Sequence, residues 1–152
     1  MKESEQDPLA AQGGGGQDGP VPTDIRIVLP NRPGAVTHVC SLVAEAGINV
    51  LGACGDLRPG ERWGFIHLVV EEGGAAKGLI EGAGYEVTSA RPVEMVDLVD
   101  EPGGLAKVLS EYSKNNTNID IIYTASNDRL VIGTEDMLEE RMGMNVEDVK
   151  GA

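Results

Sequence analysis

Two short stretches carry the residues best suited to chemistry: "PNRPGAV", from Pro30 to Val36, and "DEPGGLA", from Asp100 to Ala106. Each sets a polar side chain, Asn31 or Asp100, two residues ahead of a Pro-Gly pair that opens a helix-like run. A helix start leaves its first N–H groups unpaired and concentrates about half a positive charge there, so it suits a carboxylate. Gly34, Gly103 and Gly104 have no side chains to keep a small molecule off the backbone. Asn31 offers an amide donor and a carbonyl acceptor, whereas Asp100 offers only acceptors and is the stronger partner for an ammonium group. A plainer reading stands beside this one. Pro and Gly are ordinary at helix starts, and Asn and Asp are ordinary caps that need no ligand.

The elements that must position these residues follow from periodicity. "DIRIVLP" alternates Ile25, Ile27 and Leu29 on one face against Arg26 on the other, which predicts a strand. Val36, Val39, Cys40 and Val43 recur at helical spacing until Gly47 ends the helix. "INVLGAC" and "WGFIHLVVE" read as strands around a Pro59-Gly60 break, "AAKGLIEGAG" as a short helix and "YEVTSA" as a fourth strand. The same order restarts with "PVEMVDLV", a helix through Leu105, Val108, Leu109 and Tyr112, then "NIDIIYTA" and "RLVIGT". An offset of 69 positions pairs Pro33 with Pro102, Gly34 with Gly103, Val36 with Leu105, Val39 with Val108, Asn49 with Asn118 and Val50 with Ile119. That agreement makes the chain an internal repeat. Residues 1–22 form a Gly-rich tail without periodicity, expected to be disordered; residues 23–90 are the first unit and 91–152 a second, shortened at its C-terminal end.

Bulk properties narrow the function. A net charge of −13 repels phosphate backbones and argues against nucleic-acid binding. No apolar stretch approaches the roughly 20 residues that span a bilayer, and the first residues lack a signal peptide's pattern. Cys40 and Cys54 have no metal-ligand spacing and fit a reducing cytoplasm. Neither a metal nor a cofactor is implied.

A strand running into "NRPGAV" or "DEPGGL", then a helix, then "GINV" or "TNI" opening the next strand, resembles the ACT domain. Two copies in a chain this size resemble the small stand-alone tandem ACT proteins. The resemblance implies an α+β fold: two ferredoxin-like βαββαβ units in one eight-stranded antiparallel sheet, with helices on one face. It further implies a regulatory protein, not an enzyme, that senses a free amino acid at the seam between the units and passes the change to a protein partner. The ligand-binding positions it implies are Asn31, Arg32, Pro33, Gly34, Ala35 and Val36 with Asn118 and Ile119 from the other unit. The crossed counterpart is Asp100, Glu101, Pro102, Gly103, Gly104 and Leu105 with Asn49 and Val50. Some family members carry a polar residue two positions before the loop Asn; Leu29 stands there instead. Leu29, Val36, Leu98 and Leu105 make the walls partly apolar, favouring a medium-sized, uncharged side chain.

Other residues read more plainly. His38 falls on a solvated helix face, and His67 lies on the face of the third strand turned away from the helices, with no second metal ligand nearby in sequence. Trp63, Phe65 and Val69 share that face, with Leu51 and Ile122 expected to join them. Such an apolar face calls for a covering sheet, most simply in a homodimer. Two alternatives to sensing remain: a dimerisation module with an empty seam, and an acylphosphatase-like enzyme. The enzyme needs an Arg-bearing phosphate loop. Arg32 fits, but the second copy has Glu101 at that place.

Overall fold

The computed structural model describes residues 21–142. In chain order the elements are β1 (Thr23–Pro30), α1 (Ala35–Glu45), β2 (Val50–Asp56), β3 (Trp63–Val70), α2 (Gly73–Gly82) and β4 (Glu86–Pro92). There follow β5 (Glu94–Asp97), α3 (Gly104–Lys114), β6 (Ile119–Ala125), β7 (Arg129–Thr134) and α4 (Glu135–Met142). The strands form one antiparallel sheet in the order β4-β1-β3-β2-β6-β7-β5. Seven strands are present among the described residues; the place of the expected eighth, and residues 1–20 of the tail expected over 1–22, lie outside them. Only Val93 separates β4 from β5, so β4 runs through the division expected at 90/91.

The repeat in the sequence is matched by repeated backbone geometry. The glycines before α1 and α3 have nearly the same left-handed torsions, φ 89° and ψ −13° at Gly34, φ 87° and ψ −10° at Gly103. Only glycine holds that conformation without cost, and this is why Gly recurs there. The N–H of Ala35 bonds to Arg32 O (3.2 Å) as that of Gly104 bonds to Glu101 O (2.9 Å). At the far ends, Ile48 N–H reaches Val43 O (3.0 Å) and Thr117 N–H reaches Tyr112 O (2.9 Å). The left-handed residue closing each helix is Gly47 (φ 79°) in one half and Asn116 (φ 56°) in the other, the two types that tolerate it best. Both β2 and β6 shift register at matching places, Val50/Gly52 and Ile119/Ile121.

The first half holds the main core. Alternation turns Ile25, Ile27, Leu29, Ile66, Leu68 and Val70 to one side, where Val39 and Val43 of α1 and Ala76 and Ile80 of α2 cover them. The halves meet where Gly52 of β2 faces Ala125 of β6, and Ser126 N–H bonds to Leu51 O (2.9 Å). A Cβ at Gly52 would sit 2.8 Å from Ala125 Cβ, so the seam requires a residue without one.

The face turned away from α1 and α2 corrects a sequence-based expectation. It needs no second molecule for its centre. Leu51 and Val69 are buried within the chain against Val93 and Val131, with Met95, Ile121 and Tyr123 packed around them. The cause is curl. In a flat sheet β1 and β6 would stand about 14 Å apart, three strand spacings of about 4.8 Å, yet the Tyr123 hydroxyl of β6 donates to Asp24 of β1. The second half therefore folds over the first half's open face. Ile122 does not join it, because Tyr123 points into this cluster and its neighbour Ile122 points the other way, beside Ile132. Phe65 is half-buried with the Arg26 guanidinium 3.7 Å over its ring, and Trp63 is exposed. Helix α4 also departs from a simple two-unit plan by touching β4 as well as β7.

Candidate functional site

The two Pro-Gly turns share a backbone and differ in what their side chains do. The Asn31 amide donates to Arg58 O (2.7 Å) and Glu61 O (2.9 Å), while its own N–H bonds to Arg62 O (2.8 Å). Both amide protons are thus engaged in holding the β2–β3 hairpin, leaving only the side-chain carbonyl for another partner. Asp100 is exposed and makes no side-chain hydrogen bond among the described residues. Neither residue caps its helix: α1 and α3 have no side-chain cap and no acidic residue in the first turn. The plain capping reading therefore fails for both.

The helix starts are left open. No hydrogen bond among the described residues engages the N–H of Val36 or Thr37, or of Leu105 or Ala106. The next N–H groups, His38 and Lys107, are already bonded to Gly34 O and Gly103 O. Each turn thus presents two free donors on the positive end of an 11-residue helix.

The other implied residues are placed as follows. Arg32, Pro33, Gly34 and Val36 are exposed, and Ala35 is buried. Asn49 is exposed and Val50 packs on the first core. Glu101, Pro102, Gly103 and Leu105 are exposed, and Gly104 is buried against Val99, whose carbonyl oxygen leaves no room for a Cβ. Asn118 is exposed and Ile119 half-buried.

For one crossed pair, hydrogen bonds of neighbouring residues lead to the same turn. Leu51, two residues after Asn49, accepts from both the N–H and the hydroxyl of Ser126 (2.9 and 3.0 Å). Two residues on, Asp128 O accepts from Leu98 N–H (2.8 Å), at the head of the Asp100 turn. Asn49 and Asp100 therefore flank the same β6–β7 turn. For the other pair the link is missing. Antiparallel pairing sets Asn118 towards the end of β2, the side of the hairpin that Asn31 holds, but no hydrogen bond among the described residues joins it to that hairpin.

A buried polar group escaped the sequence reading. Asp24 is 0% exposed, and its carboxylate lies 3.0–3.1 Å from His67 Nδ1 while accepting from the Tyr123 hydroxyl. Arg91 ties the same region together, pairing with Asp120 (3.0 Å) and donating to Thr134 O (2.9 Å). Burial, above all, pushes the Tyr123 hydroxyl well above the usual tyrosine range, with the Asp24 charge and hydrogen bond adding to it. Alternation around Ile25 and Ile27 places Asp24 opposite the helices, but nothing local reveals a partner 99 residues away. His38, read as solvated, is exposed but lies 2.5 Å from the Tyr85 hydroxyl. Burial raises the Cys40 thiol, a packing residue. Among the described residues no group of three His, Cys, Asp or Glu is placed to hold a metal, and no helix is long and apolar enough to cross a membrane.

Comparison with known proteins finds similarity in structure alone. No family model matches the chain, and no curated protein matches it. Among solved structures, a protein of Bacteroides thetaiotaomicron superposes with a TM-score of 0.64 at 23% identity, covering 81% of this chain and 90% of the other. The regulatory subunit of aspartate kinase from Thermus thermophilus gives 0.60 at 23% identity, covering 76% and 83%. The corresponding subunit from Thermus flavus gives 0.57 at 21%, covering 79% and 86%. With its α+β architecture and one antiparallel sheet, the chain has the fold of these regulatory subunits, an ACT-type fold.

Proposed function

We propose that the chain is a non-catalytic regulatory protein in which two ACT units share one sheet and sense a free amino acid at their seam. The observation that carries this reading is the open start of α3 beside an unengaged carboxylate. Leu105 and Ala106 N–H lack partners, and Asp100 is exposed with no side-chain hydrogen bond among the described residues. An amino acid has the complementary pair of charges. Its carboxylate accepts from the two N–H groups, its ammonium donates to Asp100, and Asn49 across the β6–β7 turn supplies a second oxygen. Leu98 and Leu105 give its side chain a partly apolar wall.

The Asn31 turn offers the same open N–H groups, but its amide is engaged and Asn118 is unconnected to it. We assign it the weaker role. The likeness to regulatory subunits of aspartate kinase supports regulation rather than catalysis as the task. The test is a thermal-shift screen against the twenty amino acids, because a ligand that binds only the folded chain raises its melting temperature. At least one uncharged amino acid should raise it at millimolar concentration. A flat response to all twenty sinks the sensing proposal and leaves the dimerisation module.

A further inference from the structure

We propose that copies of this chain associate head to tail, the Asn31 end of one docking on the Asp100 end of the next. Crossing the sheet from β1 to β5 takes five antiparallel steps, so these strands run in opposite directions and their turns lie at opposite ends. Among the described residues, four of the six large exposed apolar side chains sit at those ends. Val36 (36% exposed) and Trp63 (58%) flank the first turn; Val99 (61%) and Leu105 (45%) flank the second. Trp63 is held there because β3 pairs it with Pro30, the residue leading into Asn31.

The ends differ in charge. The first exposes Arg32 and Arg62, neither in an ion pair among the described residues; Arg58 is paired with Asp56 (3.1 Å), and Glu61 offsets one charge. The second exposes Asp97, Asp100, Glu101 and Asp128, none in an ion pair among the described residues. In a chain of net charge −13, the first end is a local exception. Overall repulsion is screened beyond about 8 Å at physiological salt, whereas charges in contact are not, so local complementarity decides the geometry of approach. Each apolar pair then covers its counterpart inside a charged rim. The surfaces are small, and the association is weak.

Sedimentation velocity up to roughly 100 µM protein, without amino acid and at roughly 0.15 M salt, tests this. The wild-type coefficient should rise with concentration. Arg32→Glu with Arg62→Glu makes both ends acidic, and Asp100→Lys with Glu101→Lys cancels the negative charge of the second end, since Asp97 and Asp128 remain against the two lysines. Each double variant alone should associate at least about tenfold more weakly, and an equimolar mixture should associate again, because unlike ends then meet. Unchanged melting temperatures confirm that these exposed substitutions leave the fold intact. A wild type that stays monomeric, reversals without effect, or a mixture no stronger than its components each overturns the proposal. The assay contains no amino acid, so its outcome is independent of the sensing reading.

Discussion

The Asn31 and Asp100 turns are one backbone put to two uses. Their glycine torsions agree within a few degrees, and their helix-start hydrogen bonds correspond residue for residue. Yet Asn31 is tied to a hairpin while Asp100 faces solvent. The halves differ in the same sense. Helix α1 buries Ala35, Val39 and Val43, whereas α3 buries only Gly104. What the second half lacks under its helix it gains on the other face, where Val131, Met95, Ile121 and Tyr123 lie on the first half's Leu51 and Val69. Backbone geometry is thus the part of the unit that repeats most faithfully. Core and side-chain engagement diverge: the first half holds the main core, and the second keeps an unengaged carboxylate beside its helix start.

The sharpest way to break this comparison is to truncate the same position in each half. Val39→Ala empties a fully buried site and should cost about 2–3 kcal/mol, while Val108→Ala, 69 positions on and half-buried, should cost under about 1 kcal/mol. Urea unfolding reads both; equal losses would mean that the second half has a core of its own. Next comes the tie across the curled face. Tyr123→Phe removes a donor from the buried Asp24 carboxylate and should cost about 1–3 kcal/mol. The raised hydroxyl adds a pH signature. Its stabilisation is intact below the unfolded tyrosine value of about 10 and is lost as pH rises beyond it. Wild-type melting should therefore fall above about pH 10, and the Phe variant should fall less; parallel declines would remove Tyr123 from the account. Smallest is the contrast between the turns. Asn31→Ala should cost about 1–2 kcal/mol by freeing the hairpin carbonyls, and Asp100→Ala should change stability by less than about 0.5 kcal/mol. A larger loss at Asp100 would make it structural.

Much of this organisation is legible in the sequence because it is written locally. Alternation in "DIRIVLP" and helical spacing in "AVTHVCSLV" fix strand, helix and buried face, and Pro-Gly marks both turns. What stays hidden depends on how distant strands come to lie. The pairing of Tyr123 with Asp24 spans 99 residues and follows from sheet curl, which no local pattern encodes. For the same reason an apolar face around Val69 reads as a dimer surface until the second half is seen to cover it. Asn31 and Asp100 are chemically suited to a ligand in the sequence; only the position of the Arg58–Glu61 hairpin shows that Asn31 is engaged.

The most direct measurement is a calorimetric titration with the amino acid that gives the largest thermal shift, on the wild type, Asp100→Ala and Asn31→Ala. The account predicts about one ligand bound per chain. Asp100→Ala should weaken it roughly ten- to a hundredfold through loss of one charge-assisted contact of about 1.5–3 kcal/mol. Asn31→Ala should leave affinity within about threefold, since its amide already serves the hairpin. Binding that survives Asp100→Ala but is lost in Asn31→Ala would reverse the roles of the two turns and contradict the account.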